Sequence, residues 1–166
     1  MELSAGYSQP PGSPNGFRAL AFDVFGTVVD WRTGIARAAA ELGLDGERFA
    51  DAWRARYAPS MDQVRRGELP WMNLDQLQAR SLEVLLDEFG AASLSPADRR
   101  QLVLSWHRLP PWEDAREGLT RLGSRYLLTT LSNGGFALLT NLTRYAGLRF
   151  DCILSAELCR HYKPDP

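Results

Sequence analysis

Five side chains in this sequence have the types and spacing to do chemistry together. Asp23 interrupts an apolar run that starts at Ala19, and Thr27 follows it by four positions. Ser132 and Asn133 end a second apolar run, and Lys163 stands before a proline shortly after a third. A carboxylate can attack carbon or phosphorus and carry a covalent intermediate. An ammonium beside it supplies the counter-charge of the ionised, nucleophilic form. A hydroxyl and an amide can orient that carboxylate or hold a substrate's carboxylate or phosphate. Thr27 is placed to donate a hydrogen bond to Asp23. Each residue also has a structural reading. Asp23 can cap the turn before the next helix, residues 132–134 form a turn by composition, and Lys163 can be a surface loop residue. Position alone leaves both readings of Asp23 open.

The elements that must position these groups follow from hydrophobic periodicity. The run 19–22 reads as a buried strand, and residues 126–131 and 150–154 read as two more. Only helices lie between the first and second strands. Residues 31–44 repeat Ile35, Ala38, Ala39 and Leu42, and Gly43 ends that helix. Residues 46–57 place Phe49, Trp53 and Tyr57 on one apolar face, and Pro59 is expected to stop the helix. Residues 60–70 are polar and expected to be partly irregular. A long helix, 74–89, turns Leu77, Leu82, Leu85, Leu86 and Phe89 inward, with Asn73 as its cap. Ser95 followed by Pro96 starts another, which carries Leu102, Val103 and Trp106 and ends before Pro110. Beyond it, helices at 115–122 and 136–145, the latter closed by Gly147, alternate with strands. The fold class is therefore α/β: a Rossmann-like parallel sheet with a helical module inserted directly after the first strand. Such sheets bind ligands past the carboxyl ends of their strands. Asp23, Ser132–Asn133 and Lys163 all follow such ends, with Ser155 beside the last, so they converge on one small volume. The inserted helices are placed to act as a lid over it.

Composition narrows the partners. The 166 residues carry 19 Lys+Arg against 20 Asp+Glu. This balance gives no electrostatic case for nucleic acid or an anionic membrane. No apolar run approaches the ~20 residues of a membrane span. Residues 1–16, rich in Ser, Pro and Gly, lack a basic and an apolar signal region and read as a disordered tail. The expected location is cytoplasmic. Cys152 and Cys159 match no metal spacing and read as small buried apolar residues in a reducing compartment.

Three motifs resemble those of the haloacid dehalogenase superfamily: Asp23-Val-Phe-Gly-Thr27-Val, Leu131-Ser132-Asn133-Gly134 and Tyr162-Lys163-Pro164-Asp165-Pro166. Their order and spacing agree with that family, as does the helical cap between the first two. The resemblance implies a core at 17–30 and 112–166 and a cap at 31–111. Phosphatases of the superfamily carry a second Asp two residues after the nucleophile, where it acts as general acid/base and its backbone helps bind Mg²⁺. Here that position is Phe25, which can neither give nor take a proton. An aromatic at this position resembles the 2-haloacid dehalogenases, which need no metal or other cofactor. Arg54 matches the cap arginine that receives the departing halide. Its bland reading is a solvated helix arginine, and Arg56 is a rival for the role.

The resemblance implies a two-step reaction. Asp23 attacks C2 of a 2-haloalkanoate in line and expels halide toward Arg54. Water then attacks the ester carbonyl of Asp23 and frees a 2-hydroxy acid. Ser132 and Asn133 would hold the substrate carboxylate or the nucleophile, Lys163 would set the charge of Asp23, and Phe25 with cap aromatics such as Trp53 would keep the pocket dry. The family continues for some tens of residues past the lysine motif, with a further strand and an acidic residue that activates water. The expectation is therefore a C-terminally truncated, poorly active chain with one sheet edge open and an ester that accumulates if Asp23 reacts. Two alternatives stand beside this reading: a Mg²⁺-dependent phosphatase of the same superfamily, and a non-catalytic protein that binds a small acid. A homodimer through the cap or the sheet edge would be ordinary.

Overall fold

Three parallel strands carry the candidate site: β1 (Ala19–Phe22), β2 (Leu127–Ser132) and β3 (Cys152–Ser155), ordered β1-β2-β3. The computed structural model describes residues 16–165. Residues 1–15 of the expected tail, and Pro166, lie outside the described residues. Register pairs Phe22 with Thr130 and Ser132 with Ser155. One step past its last pair, Asp23 therefore falls beside Leu131, and all three strands end at the same edge of the sheet.

Five helices make up the insertion that follows β1: α1 (Trp31–Ala40), α2 (Gly46–Ala55), α3 (Tyr57–Arg65), α4 (Leu74–Glu88) and α5 (Pro96–Ser105). Three more complete the described chain: α6 (Ala115–Gly123), α7 (Phe136–Ala146) and α8 (Ala156–Cys159). The caps follow the sequence. Asn73 and Gln76 form a reciprocal capping box on α4. Ser95 caps α5 with Pro96 in its first turn. Gly147 closes α7 in the left-handed region, at φ 64°. At Gly46 a Cβ would collide with the Ala36 carbonyl, so glycine sets how closely α1 and α2 approach.

The chain enters and leaves the helical insertion through one narrow neck. Asp30 N–H donates to Pro110 O at 2.9 Å, and Trp112 N–H donates to Val28 O at 3.1 Å. One buried apolar cluster then runs from the insertion (Ile35, Phe49, Trp53, Leu85, Trp106) through to Leu128 of the sheet and Leu138 and Leu142 of α7, and a smaller one gathers Met61, Leu77, Ala156 and Tyr162.

Three expectations need correction. Pro59 does not stop a helix; it sits in the first turn of α3, where its missing N–H has no intrahelical acceptor to lose. The break falls instead at Arg56, between α2 and α3. The stretch 60–70 is partly irregular, as expected: it is helical through Arg65, where Met61 and Val64 pack with Leu77 and Tyr162, and non-helical from 66 to 70. Strand β1 is not buried on both sides. Helices α6 and α7 contact β2 and β3, and Leu128, Thr130 and Ser155 are buried. Ala19, Ala21, Leu127, Leu131 and Leu154, which alternate with the inward residues, are exposed. The cysteines are exposed as well: Cys152 belongs to that uncovered face of β3, and Cys159 ends the one-turn α8. Among the described residues no helix is long and apolar enough to cross a membrane.

Candidate active site

The turn after β1 is built to present a carboxylate. Val24 O accepts from the N–H groups of Thr27, Val28 and Val29 at 3.3, 3.0 and 3.3 Å. Gly26, at φ +86°, takes a conformation that side-chain-bearing residues avoid. Asp23 emerges at the strand end and meets Lys163, whose Nζ donates to its Oδ1 at 2.8 Å and to Leu131 O at 2.7 Å. Both side chains stay open to solvent, at 45% and 38% exposure, so the pair adds little to stability. The pair leaves Asp23 with Oδ1 on the ammonium and Oδ2 without a hydrogen-bond partner among the described residues.

The second motif holds the lysine. Asn133 Oδ1 accepts from Lys163 N–H at 2.8 Å, and Asn133 is buried. Ser132 Oγ accepts from Gly134 N–H at 3.2 Å and so tightens the turn. Ser155 Oγ donates to Gly134 O at 2.6 Å and fastens β3 to the same turn. Ser132 and Asn133 thus spend hydrogen bonds on the turn and on the lysine loop. Thr27 differs from expectation. Its side chain is exposed and makes no hydrogen bond to Asp23; its backbone N–H serves the turn instead.

Aromatic rings wall the site on the insertion side. Phe25 stands edge-to-face with Trp106 at 6.0 Å, and a Cβ on Gly134 would lie 3.2 Å from the Phe25 ring. Trp106 in turn stacks near Trp31 at 6.4 Å and meets Trp53 edge-on at 5.6 Å. Trp53 is fully buried one layer behind, its indole N–H donating to Ser81 Oγ at 3.1 Å.

The two candidate arginines separate cleanly. Arg56 is committed to the insertion, with Nη2 on Glu88 Oε2 at 2.5 Å and Nη1 on Ala52 O at 2.9 Å. Arg54 has no carboxylate partner among the described residues. Its guanidinium lies 4.1 Å from the centre of the Tyr57 ring and 5.5 Å from that of Trp31. Tyr57 is the site residue that sequence reasoning missed. Its hydroxyl meets the Asn133 side-chain amide, and it lies within electrostatic reach of Arg54 and Asp23. Burial pushes its phenol above the ordinary tyrosine range, with Asn133 and Arg54 opposing that shift.

The insertion also grips the loop that carries Lys163. Tyr162 Oη donates to Met72 O at 2.7 Å, and its ring lies 4.9 Å from Trp71. Arg65 binds Asp165 through Nε at 3.0 Å and Nη2 at 2.6 Å. Glu157 joins the same contact surface, accepting from Asn73 Nδ2 at 3.1 Å and from Phe136 N–H, at the start of α7, at 2.7 Å. Arg65 lowers the pKa of Asp165 below its ordinary value. A depressed carboxylate contributes above its unfolded pKa, and the contribution is lost as pH falls through the folded value. The clasp should therefore hold at neutral pH and weaken only in acid, as the pH falls below the ordinary carboxylate range. Asp165→Asn should loosen it at pH 7. Hydrogen exchange of residues 160–165 is expected to speed up severalfold while β2 is unchanged; unchanged exchange in the loop would show that Arg65 does not hold it.

With this geometry in view, the chain belongs to the haloacid dehalogenase-like hydrolase family, whose model matches residues 17–166. It is similar to (S)-2-haloacid dehalogenase 4A of Burkholderia cepacia, at 30% identity over 159 residues, 90% of this chain and 65% of that protein. The crystal structure of the L-2-haloacid dehalogenase PA0810 superposes with a TM-score of 0.85 at 48% identity, over 91% of this chain and 67% of that one. The defluorinating L-2-haloacid dehalogenase Rha0230 gives 0.88 at 41% identity, over 95% and 69%. The chain thus spans about two thirds of the length of these relatives.

Proposed function

We propose that this chain belongs to an enzyme that hydrolyses (S)-2-haloalkanoic acids to 2-hydroxy acids. The observation that carries the reading is the Asp23–Lys163 pair at 2.8 Å beside Phe25, with the guanidinium of Arg54, which has no carboxylate partner among the described residues, on the insertion side. A free Asp23 oxygen attacks C2 in line. The carbon–halogen bond breaks, its electron pair leaves with the halide toward Arg54, and C2 is inverted in the resulting ester. Water then attacks the ester carbonyl, the acyl–oxygen bond breaks, and the (R)-2-hydroxy acid departs with Asp23 restored. Lys163 balances the charge of Asp23. Asn133, Ser132 and Thr27 serve the nucleophile, its turn and its lysine. Phe25 supplies a dry wall rather than a proton donor, which favours displacement at carbon over phosphoryl transfer. Neither step as written draws on a metal or other cofactor. The names of the relatives support both the substrate class and its handedness.

The test is halide release from (S)-2-chloropropionate in the presence of a chelator. The expected result is one chloride and one (R)-lactate per turnover, with the (R)-substrate inert. Turnover of an aryl phosphate that requires Mg²⁺, without halide release, would overturn the reading in favour of a phosphatase. A cytoplasmic location and a homodimer belong to the same proposal, and sedimentation tests the latter.

A further inference from the structure

We propose that Tyr57 is a positioning residue for Arg54 and thereby sets how firmly the site receives a departing halide; this rests on the dehalogenase reading. A free arginine side chain samples many rotamers, and something must hold this one toward the site. A carboxylate would hold it but would also cancel its charge. Ring faces orient a guanidinium without neutralising it, and the guanidinium of Arg54 lies over two of them: Tyr57 at 4.1 Å and Trp31 at 5.5 Å.

Tyr57 is itself fixed from both sides. It opens α3, directly after the break at Arg56. Its ring packs against both apolar clusters, one shared with the sheet and the other with Tyr162 of the lysine loop. Its hydroxyl meets the Asn133 amide, whose oxygen is already taken by Lys163 N–H. Tyr57 therefore ties the cation of the insertion to the turn that holds the lysine of the sheet. The ring handles Arg54 and the hydroxyl handles Asn133, and two substitutions separate these roles. Tyr57→Phe keeps the ring and removes the hydroxyl. Tyr57→Leu removes both.

Bromide serves as the probe. Its binding to the whole chain is followed by the saturable change in tryptophan fluorescence, since Trp31 lies beside Arg54. Tyr57→Leu is expected to weaken bromide binding about five- to tenfold, the scale of a partly desolvated cation–π contact. Tyr57→Phe is expected to stay within about twofold of the wild type. The ratio of kcat on 2-chloropropionate to kcat on 2-bromopropionate should fall in Tyr57→Leu, because the poorer leaving group needs the guanidinium more. A folding defect would lower both rates alike and leave the ratio unmoved. Wild-type bromide affinity in Tyr57→Leu, equal losses in both variants, or no bromide binding by the wild type would each overturn the inference. Bromide binding that follows this pattern with no halide release from either substrate would sustain it and remove the dehalogenase reading instead.

Discussion

Asp23→Asn should lower halide release by a factor on the order of 10⁴ or more, the scale seen when a covalent nucleophile is removed. The substitution preserves shape and leaves an oxygen to accept from Lys163 Nζ, so the strand end and the lysine loop keep their contacts. What disappears is the lone pair that attacks C2. A more specific result follows from the ester. In one turnover in ¹⁸O-labelled water, the label enters at the Asp23 carbonyl, and the product takes its hydroxyl oxygen from the enzyme. Mass spectrometry of the peptide that contains Asp23 should show the gain. Label in the first lactate, with Asp23 unlabelled, would mean that water attacks the substrate directly and that Asp23 is at most a base.

The second large effect is on stability. Trp53→Ala should cost about 3 to 5 kcal/mol, a large share of the 5 to 15 kcal/mol typical of a folded domain. Trp53 is fully buried and meets Phe49 and Trp106 edge-on, both at 5.6 Å. Truncation leaves a cavity that rigid neighbours cannot fill and strands Ser81 without the indole donor. The measurement is the urea midpoint at unchanged m-value. A cost below about 1 kcal/mol would show that the aromatic cluster collapses freely. In that case Trp106, and Phe25 behind which it stands, would not be held as described.

Much of this was legible in the sequence because the signals are local. Asn73 and Ser95 announce their helices with the side chains that cap them. The three strand ends could be read from where apolar runs stop, and their convergence follows from parallel topology alone. The resemblance pointed to Arg54 over Arg56, but the ion pair that occupies Arg56 could not be read, since Glu88 lies on another helix. Tyr57 stayed hidden for a different reason. Its spacing from Phe49 and Trp53 continues one apolar face, and periodicity is silent about a break at Arg56 that turns the next helix toward Asn133. Pro59 misled because proline ends helices from within but is harmless in a first turn. Glu157 joins Asn73 across 84 positions and carries no local mark of that role. Cys152 was misplaced because β3 was read as covered on both faces, and Cys159 because the short helix that follows that strand leaves it exposed.

The neck through which the insertion leaves and rejoins the sheet has a kinetic meaning. Asp23 and Lys163 touch across 140 positions, whereas α1 with α2 and α4 with α5 are joined by short connections. Local contacts form early, and distant ones wait on the entropy of closing long loops. The helical segment that carries Arg54 and Tyr57 can therefore organise before the strands find their register. The carboxylate acquires its ammonium only when β3 and the loop that follows it have docked. On the dehalogenase reading, reactivity at Asp23 would therefore report the docking of that loop against the strand ends.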